Sequence, residues 1–221
     1  VLGCKPNVRR FESCTDIMKE LHIDIETYSS IDIKSCGGYR YLQSVDFEIL
    51  LVAFAFDDQP VQIVDLAQGD SLPIEFIEAL QNPKIQKHAH NATFERQAFK
   101  NFGLEVPVNQ WYCSAIKAAY CGLPLSLDMV SKVLQFDQDK AKLATGKALI
   151  RYFSIPCKPT KANGGRSRNF PWHDLGKWEE YKKYCMQDVE AEREIEKRLA
   201  AYKIPGMERS LYILDQEIND R

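Results

Sequence analysis

Leu21-His22-Ile23-Asp24-Ile25-Glu26-Thr27 alternates apolar and polar residues, with β-branched isoleucine at 23 and 25. That alternation predicts a strand. Side chains two apart on a strand share a face, so Asp24 and Glu26 stand side by side while Leu21, Ile23 and Ile25 turn the other way. Two carboxylates held together in a folded core repel one another and resist desolvation, so something cationic is expected between them. An edge strand showing its acidic face to water would read the same locally. The decision rests on whether later segments bring more carboxylates to the same place.

Working outward, a loop with Ser29-Ser30 and Gly37-Gly38 is followed by a nearly continuous apolar run from Phe47 to Phe56. A turn at Asp57-Asp58-Gln59-Pro60 sends the chain back through 61–66. These segments predict a meander of three strands with the middle one buried. Ser71 as N-cap and the stripe Ile74, Phe76, Ile77 and Leu80 predict a helix ending near Asn82-Pro83. A short strand at 85–89 leads into His90-Asn91 and a second helix from Ala92 to Phe102, closed by Gly103. From Trp111 to Arg151 the pattern is helical, broken at Gly122-Leu123-Pro124.

Residues 154–172 lack periodicity and are rich in Pro, Gly, Asn and basic side chains. A long amphipathic helix follows from about Asp174 to Tyr202, supported by Glu179–Lys183 and Glu194–Arg198 at i,i+4. Ile204-Pro205-Gly206 stops it. The final stretch sets Leu211, Leu214 and Ile218 at helical spacing. It reads either as a terminal helix folding back on the domain or as a helix cut from a longer polypeptide. Strands first and mixed strand and helix later indicate an α/β sheet with an antiparallel half.

The 221 residues suit one domain with a real core, and 45% apolar with 27% charged residues is ordinary for a globular protein. A net charge of -2 gives no general basic field, so any nucleic-acid partner must be held by local basic patches. Seven cysteines without a C-x-x-C pair argue against a zinc site or a disulfide framework and fit a reducing cytoplasm. No apolar run approaches the roughly 18 residues of a membrane span. Residues 1–17 show no periodicity and no signal-peptide core, so they read as a disordered leader or a cloning addition before Met18.

Two further segments carry acids of interest. The long helix holds Tyr184 and Asp188, four apart and on the face that also carries Tyr181, Ile195 and Leu199. An inward Asp needs a partner, and no Lys or Arg of that helix is placed to provide one. The second helix offers Glu95, four residues after Asn91, which is expected to cap it. Glu95 in a first turn also suits the helix dipole, which is the purely local reading.

D-x-E on a first strand, N-x-x-x-(acidic) opening a helix, and Y-x-x-x-D on a late helix together resemble the three motifs of the DnaQ-like 3′–5′ exonuclease family, in its tyrosine-containing branch. The resemblance covers roughly residues 18–203. Within it, MKELHIDIETYSS, AHNATFER and YCMQDVEAE look like the proofreading domains of bacteriophage and prophage family A DNA polymerases. The tail LYILDQEINDR is similar to the start of the polymerase region in such proteins.

The resemblance implies a ribonuclease H-like fold: a mixed five-stranded sheet, three strands antiparallel and then parallel ones, flanked by helices. It divides the chain into a leader at 1–17, an exonuclease domain at 18–203 and a linker and helix at 204–221. It implies hydrolysis of phosphodiester bonds at single-stranded DNA 3′ ends, with the polymerase region in the same or a longer chain as partner. The setting would be the cytoplasm of a bacterial host or phage-infected cell. Such hydrolysis needs a nucleophilic hydroxide near neutral pH and a sink for charge on the leaving 3′ oxygen; two divalent ions about 4 Å apart supply both. Mg²⁺ or Mn²⁺ would be the ions, since hard cations need oxygen ligands and no His or Cys.

By carry-over, Asp24 would bridge the metals, with Glu26 and Asp188 as further ligands of the nucleophile-side ion. Glu95 takes the position that usually holds an Asp and would reach the other ion directly or through water. Its extra methylene moves the carboxylate by about 1 Å, a departure that puts metal preference in question. Tyr184 would orient the attacking water, because a phenol with a pKa of about 10 is poorly placed as a base at neutral pH.

Thr27 and Tyr28 would lie at the lip of the site, Asn91 at the second motif, and Phe94 would support the last base. The loop from Lys158 to Arg168 carries Lys158, Lys161, Arg166 and Arg168 and no acid, and is the candidate for tracking a single-strand backbone. His88, His90, Cys113, Cys121 and Trp111 read as structural. The alternatives are a ribonuclease of the same superfamily, a catalytically silent nucleic-acid or polymerase-binding module, and a structural module with an acidic rim.

Overall fold

The computed structural model describes residues 18–136 and 143–221; the reading of 1–17 as a leader lies outside them. The sheet is five-stranded with order β3-β2-β1-β4-β5. Its strands are β1 (Glu20–Tyr28), β2 (Glu48–Phe56), β3 (Gln62–Asp65), β4 (Gln86–Ala89) and β5 (Trp111–Cys113). β1 is central, antiparallel to β2 and parallel to β4. β2 pairs antiparallel with β3, and β4 parallel with β5.

Both faces are covered, which is why β2 is continuously apolar from Ile49 to Phe56 rather than alternating. One face packs Leu21, Ile23, Ile25, Val52, Phe54 and Phe56 beneath the helices α1 (Ile33–Leu42), α2 (Ile74–Gln81) and α3 (Thr93–Asn101). The other packs Leu51, Ala53 and Ala55 against α6 (Leu143–Phe153) and α7 (Leu175–Arg198), through Leu149, Phe153, Trp178, Tyr181, Cys185 and Val189. α4 (Ser114–Tyr120) and α5 (Leu127–Val133) close the end of the sheet against Ile195 and Leu199.

Several local expectations are corrected. The stretch after β1 holds a helix, α1, which the Gly37-Gly38 pair obscured; Gly37 breaks its helical geometry with φ +79°. Trp111–Cys113 is a strand rather than the start of a helical run: its three residues pair in register with Lys87 to Ala89 of β4. α2 starts after Pro73, not Ser71, with no side-chain cap. Asn91 does not cap α3 either, since it sits in the left-handed region at φ +70° and the helix starts two residues later. Glu179 pairs with Lys182 instead of Lys183, whereas Glu194–Arg198 forms as spaced.

The C-terminal stretch forms α8 (Gly206–Asn219), folded back on the domain. It docks through Tyr212, which packs against the core, and through polar bonds at its end. Arg96 grips Asp220 through two nitrogens, at 2.5 and 2.8 Å, and Gln97 and Tyr39 add bonds of 2.6 and 2.8 Å to the same carboxylate. Leu211, Leu214 and Ile218 face outward and are about half exposed.

Candidate active site

β1 supplies the first two acids. Asp24 and Glu26 point to the α7 side of the sheet, opposite Ala53 and Leu51 of β2, small or apolar neighbours that leave room above them. The register slips between Glu26 and Thr27, a bulge of the kind that re-aims side chains beside functional sites. α7 supplies Asp188. Its rotation is fixed by Asp174, whose side chain caps the first turn at the Lys177 N–H, and by Trp178, whose indole N–H donates to Asp65 at 2.7 Å. Oxygens of Asp24, Glu26 and Asp188 thereby lie within 4.8 Å of one another.

Two further α7 residues, to which the sequence reading gave no role in the site, complete this wall. Tyr181 donates to Glu26 Oε2 at 2.5 Å, and Ser154 stands 2.7 Å from the same phenol oxygen. Because the phenol proton goes to the carboxylate, Ser154 is the donor in the second bond. Cys185 Sγ lies 3.4 Å from Asp24 Oδ2. The signal for both was present: Tyr181, Tyr184, Cys185 and Asp188 are spaced three and four apart along one helix face.

Glu95 enters from the first turn of α3, at the carboxyl end of β4. It is buried, its Oε2 has no hydrogen-bond partner among the described residues, and it lies outside the three-residue group, close enough for its charge to act on Asp24. Tyr184 is half-buried with its hydroxyl directed to Asp188, and its ring is packed against Gly146 of α6. A Cβ at position 146 would come within 2.2 Å of that ring.

The electrostatics follow from this crowding. Burial first, then the charges of Asp188, Glu26 and Glu95, hold Asp24 well above the usual carboxylate range. Burial pushes Glu26 up to about 8 despite the Tyr181 bond, and the Asp188 charge adds to the rise. Glu95 rises to about 8, and Asp188 to about 7 even with Tyr184 pulling it down. Among the described residues, no Lys or Arg forms an ion pair with any of the four. Tyr184 is pushed far above its ordinary value by burial and by these acids, so it keeps its proton.

The expected nucleic-acid contacts are distributed unevenly. Thr27 and Tyr28 are buried rather than at a lip: Thr27 Oγ1 is 3.0 Å from Tyr41 Oη, and Tyr28 lies under the Arg168 guanidinium at 3.6 Å. Arg168 is further committed to Glu48, and Arg166 bonds Asn169 and the Asn163 carbonyl. Lys158 and Lys161 are exposed on the same loop. Asn91 is exposed, while Phe94 is half-buried against Tyr41.

This fold recurs in solved structures. Escherichia coli RNase D aligns with a TM-score of 0.53 at 16% identity, over 94% of this chain and 46% of that one. Trypanosoma brucei RNase D in complex with GMP also gives 0.53 at 16% identity, over 86% of this chain and 53% of that one. The architecture is therefore ribonuclease H-like, with a cluster of acids at the carboxyl end of its central strand. A family model described as 3′-5′ exonuclease matches residues 36–201, and the chain belongs to that 3′–5′ exonuclease family. The DNA polymerase of Bacillus phage SP02 is 55% identical over 205 residues. That alignment takes in 92% of this chain but only 31% of the phage protein, so the chain spans about a third of its relative's length.

Proposed function

We propose that residues 18–203 form a divalent-metal-dependent exonuclease that trims single-stranded DNA from the 3′ end, proofreading for a family A polymerase. Residues 204–221 would begin the polymerase region. The observation that carries the metal reading is the approach of Asp24, Glu26 and Asp188 within 4.8 Å with no ion pair to a Lys or Arg among the described residues. The donors are all hard oxygens, which suit Mg²⁺ or Mn²⁺. Glu95 adds a buried oxygen without a partner among the described residues, near enough for its charge to act on Asp24.

On this reading Asp24, Glu26 and Asp188 hold the ions and Glu95 reaches the second directly or through water. Divalent ions bound there would supply a hydroxide near neutral pH and neutralise charge on the leaving 3′ oxygen. Tyr184, kept protonated with its proton directed to Asp188, orients the attacking water by accepting a hydrogen bond from it at the phenol oxygen. Ser154 and Tyr181 fix the Glu26 carboxylate from behind. Lys158 and Lys161 meet the phosphate backbone from the loop, with Asn91 and Phe94 nearer the terminal nucleotide. Arg166 and Arg168 would support that loop, given their bonds within the domain, and Thr27 and Tyr28 would support the floor beneath the strand.

Digestion of a 5′-labelled single-stranded DNA with Mg²⁺, Mn²⁺ or a chelator tests this, with Asp24→Ala/Glu26→Ala as control for contaminating nuclease. A metal-dependent ladder shortening from the 3′ end, absent in the control, is expected. A matched RNA oligonucleotide run alongside separates deoxyribonuclease from ribonuclease. Intact substrate under every condition, from a folded protein that still binds the strand, would overturn catalysis in favour of a silent binding module.

A further inference from the structure

The same face of the sheet carries a second cluster of different chemistry. His22 of β1 pairs in register with His88 of β4, which pairs with Tyr112 of β5, so three rings stand in a row across the strands. The His22 and His88 ring centres are 4.8 Å apart, and His88 stacks on Tyr112 at 5.2 Å. Glu192 of α7 closes the group from above, with its Oε2 2.6 Å from His22 Nδ1. One potential ligand atom from each of His22, His88 and Glu192 lies within 4.8 Å of the others, and the three residues are 4, 5 and 2% exposed.

A His22–Glu192 ion pair alone would need nothing further. His88 is what it leaves unexplained: among the described residues both of its ring nitrogens are buried with no hydrogen-bond partner, and so is Glu192 Oε1. A buried polar atom left without a partner opposes folding. Ligation of one ion would satisfy these atoms together. The cluster lies at the wall of an open cavity of about 940 Å³, lined by His22 and His88 along with Lys117, Arg193 and Arg209, which gives an entry path and room for water.

We propose that His22, His88 and Glu192 bind a borderline transition-metal ion, Zn²⁺ by ligand chemistry, at a site separate from the carboxylate cluster. Two imidazoles and one carboxylate suit zinc and disfavour Mg²⁺. Zinc–nitrogen distances of about 2.0–2.1 Å require the ligand atoms to close up slightly, within the reach of side-chain rotation. Water from the cavity completes the fourth position. The lack of cysteine pairs bears only on thiolate sites. Glu192 lies one helical turn beyond Asp188, and His22 two residues before Asp24. The ion therefore ties α7 to β1 and β4 beside the catalytic acids, as a positioning element.

The test uses the full chain stripped of metal, titrated with Zn²⁺ and with Co²⁺ in excess Mg²⁺. One equivalent of each is expected in the wild type and in Asp24→Asn/Glu26→Gln, with the visible absorption of four-coordinate cobalt. His88→Gln and Glu192→Gln should each weaken zinc by about 100-fold. X-ray absorption of the zinc-loaded wild type should show two imidazole ligands, a readout independent of whether any variant folds. Displacement by Mg²⁺, loss of binding in Asp24→Asn/Glu26→Gln, an all-oxygen ligand sphere, or no binding would each overturn the proposal.

Discussion

Gly146 and Tyr184 leave no space for one another to grow: a methyl group on Gly146 would lie 2.2 Å from Tyr184 Cε2. The glycine is therefore required by the close approach of α6 to a side chain of the site. Gly146→Ala should displace the phenol from Asp188 while the helix, whose propensity alanine improves, persists. Displacing a positioning group by about 1 Å can cost up to about 100-fold in rate. Steady-state digestion should show kcat falling in Gly146→Ala about as far as in Tyr184→Phe. Full activity in Gly146→Ala would mean the ring position is irrelevant.

Tyr181 is the residue behind Glu26. Tyr181→Phe removes the hydroxyl that donates to Glu26 and leaves Ser154 without its acceptor. Loss of such a support typically costs 10–100-fold in metal affinity or activity, so a shift of about 10-fold in the Mg²⁺ concentration giving half-maximal digestion is expected. Excess Mn²⁺ should recover most of the rate. A purely structural Tyr181 would instead lower thermal stability and leave the Mg²⁺ curve in place.

The acids themselves oppose folding when no ion is present. Asp188→Asn removes one charge from a buried group of like charges. It should raise the melting temperature of chelator-treated protein, by an amount corresponding to about 1–3 kcal/mol, while abolishing digestion. Mg²⁺ should then stabilise the wild type and have little effect on the variant. Differential scanning calorimetry with and without Mg²⁺ reads both. Destabilisation of the metal-free Asp188→Asn protein would show that the carboxylate serves a structural bond.

Lys87 gives a pH-dependent term far from these acids. Its ammonium is fully buried and donates to the carbonyls of Asn82 and Ile85 and to Gln110 Oε1. Burial lowers its pKa to about 8 from an ordinary 10.5. Below about 8 both folded and unfolded chains hold the proton; between about 8 and 10.5 the unfolded chain binds it better. Stability from this group therefore rises with pH across that window. Urea unfolding should show wild type gaining on Lys87→Met by of order 1 kcal/mol from pH 7.5 to 10. A difference that is flat with pH would mean Lys87 titrates normally.

Much of the architecture is legible in the chain because its signals are local. Asp24 and Glu26 share a face by strand alternation, and Tyr184 and Asp188 by helical spacing, so their relative placement needs no long-range information. Elements whose form is set by neighbours are hidden. Trp111–Cys113 is too short to show a period and is a strand only because β4 offers it an edge. α1 contains a Gly-Gly pair that reads as loop, and its Tyr41 and Leu42 are anchored by the core. Tyr181 looks like any buried aromatic until Glu26 is seen opposite it. Arg168 looks like a free cation of a basic loop, yet Glu48 and Tyr28, more than a hundred residues earlier, claim it.

Asp24 and Asp188 stand 164 residues apart in sequence (188 − 24) and come together only when α7 lies on β1. During synthesis at roughly 5–20 residues per second, the first acid waits many seconds on the ribosome for its counterpart. Contacts of such long range close late in folding. A nascent or half-folded chain thus lacks the assembled acid cluster, which arrives in one step with completion of the native topology.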